Sequence, residues 1–86
     1  MNNNNREILL KRLLYRSIHR GCKETDILLG EFAKVKINSF SDQQLATYQN
    51  FIEEDDLNIY NWLLKKQQTP TIYQELVNKI CEFHFK

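Results

Sequence analysis

The chain is short of the residues that make turns. Two glycines, Gly21 and Gly30, and one proline, Pro70, leave little material for hairpins in 86 residues. No Asn-Gly or Asp-Gly pair separates alternating apolar runs, which argues against a strand-rich fold. Cysteine is scarce as well. Cys22 and Cys81 lie near opposite ends of the chain, and with no secretion signal the expectation is two reduced thiols. No run approaches the roughly eighteen apolar residues that a membrane span needs. The opening Met-Asn-Asn-Asn-Asn-Arg-Glu has no basic stretch followed by an apolar core, and it does not read as an Arg- and Ser-rich transit sequence. The expected location is therefore cytoplasmic. Net charge is nearly absent too: twelve Lys and Arg against eleven Asp and Glu leave +1. Phosphate-rich partners select a clear excess of clustered positive charge, so neither nucleic acid nor direct membrane insertion is expected.

What is present is helical spacing. Leu9, Leu10, Leu13, Leu14 and Ile18 recur at offsets of three and four, with charged residues between them. The four asparagines before them predict a frayed start over residues 1–5. Arg20 and Gly21 end this helix, with Gly21 suited to a left-handed C-terminal position. A second helix is predicted from about Lys23 to Ile37, burying Ile27, Leu28, Phe32 and Val35. Gly30 inside it costs about 1 kcal/mol relative to alanine, and a close helix contact is the usual compensation. Ser41 with Gln44 fits a capping box, with Phe40 before the cap facing Leu45. Leu45, Tyr48, Phe51 and Ile52 then form a stripe. Asp55 is placed to cap a fourth helix that buries Leu57, Tyr60, Leu63 and Leu64, while the spacing leaves Trp62 between core and interface. Thr69-Pro70 reads as an N-cap and first-turn proline. The last helix carries Ile72, Tyr73, Leu76, Val77, Ile80 and Phe83. The expected fold is all-α: a compact five-helix bundle in one small domain over residues 1–86.

No catalytic set emerges from the residues. His19 and Cys22 are two ligands where zinc needs three or four, and two glycines cannot build a phosphate loop. Adjacent Asp55 and Asp56 are better explained as a cap and a helix-dipole partner than as a catalytic pair. One basic cluster remains: Lys11, Arg12, Arg16, His19, Arg20 and Lys23. It reads either as a solvated face balanced by the acidic 53–56 segment or as a surface that recognises carboxylates through arginine forks.

From residue 12 the sequence becomes specific. Arg12-Leu13-Leu14-Tyr15-Arg16-Ser17, Arg20-Gly21-Cys22-Lys23-Glu24 and Asp26-Ile27-Leu28-Leu29-Gly30-Glu31-Phe32 strongly resemble the succinate dehydrogenase flavinylation factor family. Its R-G-x-x-E signature falls on Arg20, Gly21 and Glu24. Ser41-Asp42, Leu45, Tyr48, Phe51 and the run from Asp55 to Leu63 extend the resemblance over residues 12–64. Cys22 departs from a frequent methionine, Asp56 from a proline common after the first aspartate, and Lys65 from a glycine often found after Trp-Leu-Leu.

The resemblance implies a non-catalytic assembly factor, a monomer when free. It would bind the flavoprotein subunit of succinate dehydrogenase, and by extension that of fumarate reductase. The client's own histidine would then attack the flavin methyl, so FAD is the client's cofactor and the factor holds none stably. The implied partner-binding residues are Tyr15, Arg16, Arg20, Gly21, Glu24 and Asp26, with no catalytic, metal-binding or cofactor-binding residue. Arg20 and Glu24 are expected to be exposed, either docking on the client or pairing with each other across the turn. A helical adaptor for another partner is the alternative function.

Overall fold

The computed structural model describes residues 3–85 and, over that span, holds five α-helices and no strand. They are α1 (Asn3–Ile18), α2 (Lys23–Lys36), α3 (Asp42–Phe51), α4 (Asp56–Leu63) and α5 (Gln74–Phe85), with 3-10 turns at Ile37–Ser39 and Thr71–Tyr73. The all-α expectation holds. Of the expected frayed start, residues 1 and 2 lie outside the described residues, whereas Asn3, Asn4 and Asn5 are already helical.

Helix α1 buries Leu13 and Ser17, with Leu9, Leu10 and Leu14 packed against the core from its flanks. Ser17 is a polar residue in the core, and its hydroxyl is fully used. Its Oγ donates to the Leu13 carbonyl at 2.7 Å and shares a 2.5 Å hydrogen bond with the Tyr48 hydroxyl. A buried polar pair of this kind is tolerated because neither group is left unsatisfied.

The predicted face of α2 is corrected. Ile27 is 48 % and Val35 61 % exposed, while Thr25, Leu29, Gly30, Phe32 and Ala33 are buried. The reason is the contact foreseen for Gly30. A Cβ added there would stand 3.2 Å from Ile18 Cγ1, so the helix sets Gly30 against α1, a rotation that leaves Ile27 and Val35 outward. The face of α4 is corrected similarly. Leu57 is 64 % exposed, and the buried set is Ile59, Trp62 and Leu63. These three also obey i, i+3, i+4 spacing, and the Trp62 ring makes the choice by packing 6.0 Å from Phe51 and 5.7 Å from Tyr73.

Helix α3 starts as predicted. The Gln44 N–H donates to Ser41 Oγ at 3.1 Å and the Ser41 N–H to Gln44 Oε1 at 2.8 Å, while Leu45, Tyr48, Phe51 and Ile52 are all buried. The start of the last helix shifts. Pro70, at φ −54° and ψ 145°, leads into the 3-10 turn, and α5 begins only at Gln74. Ile72 is consequently 69 % exposed, whereas Tyr73, Leu76, Val77 and Ile80 enter the core. His84 Nε2 lies 2.7 Å from the Leu28 carbonyl oxygen and ties the far end of α5 to α2.

Lys65 follows α4 with φ 62°, the one non-glycine in the left-handed region among the described residues. The Lys66 N–H returns to the Asn61 carbonyl at 2.8 Å, closing the helix end. A side chain in this conformation costs about 1 kcal/mol that glycine avoids. Lys65→Gly is therefore expected to raise stability by about 1 kcal/mol, seen as a higher denaturant midpoint at unchanged slope. An unchanged or lower midpoint would refute it.

Two buried phenols set the alkaline limit. Burial pushes Tyr48 up to about 12, against the lowering effect of its Ser17 hydrogen bond. Tyr73 is also pushed up to about 12, by burial and then by its hydrogen bond to Glu54. The unfolded chain therefore loses these protons first, from its ordinary value of 10.0. Their contribution to stability is intact below about pH 10 and is lost as pH rises toward about 12. Melts at stepped alkaline pH should show stability falling through that window, and a flat profile across it would contradict the assignment.

Candidate functional site

The chain between α1 and α2 turns through His19, Arg20, Gly21 and Cys22, and α2 opens on Lys23 with Cys22 as its N-cap. Asp26, in the first turn of α2, accepts the Arg20 backbone N–H on Oδ1 at 2.6 Å. The Arg20 side chain then reaches across to the start of α4. Its Nε donates to Asp56 Oδ1 at 2.5 Å, its Nη2 to the Glu54 carbonyl at 3.2 Å and its Nη1 to the Arg16 carbonyl at 3.4 Å. Only 10 % of the Arg20 side chain and 25 % of that of Asp56 remain exposed. The expectation of an exposed Arg20 fork is thus corrected. Each of its three nitrogens donates once within the fold, and it pairs with Asp56 instead of Glu24. Glu24 is exposed as expected, and among the described residues its side chain receives only the Cys22 thiol, at 3.5 Å.

Gly21 is corrected in its reason. No glycine among the described residues has positive φ, so a left-handed backbone does not account for it. A Cβ there would lie 3.5 Å from Asp56 Oδ2, an ordinary contact. Nothing in the fold demands glycine at this position. What its missing side chain does is leave an exposed backbone corner open to approach. The Gly21 N–H donates to the other Asp56 oxygen, Oδ2, at 3.1 Å.

Around this corner Tyr15 is 63 % exposed and stacks on His19 with ring centroids 4.1 Å apart. Arg16 forms an ion pair with Glu53 in which both side chains stay about half exposed, a geometry worth about 0–1 kcal/mol. Tyr15, Arg16, Arg20 and Gly21 border one shallow depression together with His19, Ile52, Glu53 and Asp56. Of the predicted set, then, four residues come together here. Glu24 does not line the depression, and Asp26 is spent on the Arg20 backbone. Two residues of the basic cluster, Arg16 and Arg20, pair with the acidic 53–56 segment, Arg16 at the surface as the solvated-face reading had it and Arg20 largely out of solvent. Lys11, Arg12 and Lys23 are exposed and form no ion pair among the described residues.

The sequence reading missed Asp56 as part of this corner. Asp55 is the cap, its Oδ2 accepting the Leu57 N–H at 3.1 Å. Asp56 sits in the first turn of α4, where it favours the helix dipole and also takes Arg20. Its position beside a cap was legible, but its partner in the α1–α2 turn was not. No group of three or more metal-ligating side chains exists among the described residues. No helix among them is long and apolar enough to cross a membrane.

Comparison with known proteins completes the picture. The chain is 40 % identical over 80 residues to the mitochondrial succinate dehydrogenase assembly factor 2 of Dictyostelium discoideum, covering 93 % of this chain and 57 % of that protein. It is 44 % identical over 80 residues to the protein of that name from Danio rerio, covering 90 % and 51 %. For Meyerozyma guilliermondii the figures are 45 % over 60 residues, 70 % and 44 %. The chain thus spans about half the length of these relatives. No solved structure matches it. The expected cytoplasmic location is corrected here, because these relatives are named as mitochondrial proteins. The family model described as flavinator of succinate dehydrogenase matches residues 11–84, from mid-α1 to the last turn of α5, and the chain belongs to that family.

Proposed function

We propose that this chain is a non-catalytic assembly factor that docks on the flavoprotein subunit of succinate dehydrogenase, acting as a single copy, and promotes covalent attachment of FAD to it. The observation that carries this reading is the family match over residues 11–84, which takes in the whole α1–α2 corner and every helix packed behind it. Its relatives are named for succinate dehydrogenase assembly in mitochondria, which supports the same client and compartment for this chain.

The corner suits docking in physical terms. Gly21 offers bare backbone, Glu24 an exposed acceptor, and Tyr15 a largely exposed aromatic ring of the kind that anchors interfaces. Arg20 and Asp26 serve behind this surface, holding its shape. Arg16, tied only by an exposed ion pair, is free to exchange Glu53 for a client carboxylate. The factor contributes a surface that selects one conformation of its client, and FAD stays with the client. Single-copy action is supported by the exposed large apolar side chains among the described residues. They number at most two on any one helix, too few for a continuous apolar face.

The test is complementation. Cells lacking their native factor, supplied with this chain in the client's compartment, are expected to recover covalent flavin. The readout is flavin fluorescence of the denatured flavoprotein band. Absence of that band at matched expression would reject the reading.

A further inference from the structure

We propose that Asp56 is a positioning residue for the docking corner: from the first turn of α4, its carboxylate holds the Arg20–Gly21 backbone in the form the client meets. This inference rests on the docking reading above. Each carboxylate oxygen serves a different group, Oδ1 the Arg20 guanidinium at 2.5 Å and Oδ2 the Gly21 N–H at 3.1 Å. Gly21 has no side chain through which packing can fix it, so the bond to Asp56 is what ties its amide to the rest of the fold. The segment carrying Asp56 is itself held. The Glu54 carbonyl accepts Arg20 Nη2, and the Glu54 carboxylate accepts the Tyr73 hydroxyl at 2.8 Å. A residue in the first turn of α4 therefore sets the shape of a surface that the α1–α2 turn presents.

Asparagine tests this without changing size. Its side chain has one acceptor oxygen and one donor NH2, whereas the site faces it with two donors. Whichever way the amide turns, a donor opposes either Arg20 Nε or the Gly21 N–H. Asp56→Asn is therefore expected to lower affinity for the purified succinate dehydrogenase flavoprotein subunit about tenfold, because the released donor lets the turn leave its docking form, which then makes up only about a tenth of the folded molecules. The Gly21 amide proton resonance should move upfield as its carboxylate acceptor is lost. Asp42→Asn removes the same charge from an exposed pair with Arg6 elsewhere on the surface, and it should leave affinity unchanged.

Affinity is measured on the folded fraction, well below the melting temperature, so lost stability alone does not move it. Equal affinity of Asp56→Asn and wild type, or an unmoved Gly21 resonance, overturns the positioning role. So does a variant unfolded at the assay temperature, which would make Asp56 a residue of the fold only. A wild-type chain that fails to bind the subunit removes the docking reading and this inference together. A wild type that binds, with Asp56→Asn binding as well, removes the inference alone.

Discussion

Gly21→Arg is expected to fold like the wild type and to leave the client without covalent FAD. The two halves of this result have separate causes. Gly21 is exposed, its φ is not positive, and an added Cβ meets only Asp56 Oδ2 at 3.5 Å. A substitution at such a position strains nothing, and limiting the unfolded chain even returns about 0.4–1 kcal/mol. The melting temperature should therefore stay close to that of the wild type. Docking is another matter, because a long cationic side chain on a bare backbone corner excludes a closely approaching partner. Complementation with this variant at matched expression should give no flavin fluorescence on the flavoprotein band. Wild-type flavin levels would remove Gly21 from the contact surface. Arg20→Ala is a less clean probe, because it also breaks the clasp to Asp56 and Glu54.

Trp62→Ala is expected to cost about 3–5 kcal/mol, a large share of the total stability of so small a domain. Trp62 is 6 % exposed, and its ring closes a triangle with those of Phe51 and Tyr73, themselves 5.2 Å apart. Removing it takes one corner, and the largest side chain, from the aromatic cluster that joins α3, α4 and the turn before α5. Circular dichroism should show a molecule largely unfolded at 37 °C or melting far below the wild type. Trp62→Phe, which keeps an aromatic ring there, should recover much of the difference. A Trp62→Ala chain that melts like wild type but no longer binds the client would instead put Trp62 at the interface.

Local chemistry was legible without any structure. The Ser41–Gln44 capping box, the Asp55 cap, the α1 stripe and the stop around Gly21 all depend on residues within a few positions of one another. Interactions at that range are written directly into the order of residues. Family membership was legible too, since Arg20, Gly21 and Glu24 and the blocks after them carry it in spacing alone. The close approach at Gly30 was foreseeable because an internal glycine has few other uses in a helix.

Faces and partners were decided only by tertiary structure. In α2 and α4 two apolar stripes satisfied the same helical period. Packing against Ile18 in one case, and against Phe51 and Tyr73 in the other, chose between them. Arg20 and Asp56 stand 36 residues apart. Nothing in the neighbourhood of either indicates that the signature arginine would be consumed by the fold. Sequence order specifies which groups a helix offers, through contacts one turn long. Which of them remain for a partner depends on how five helices share one small core.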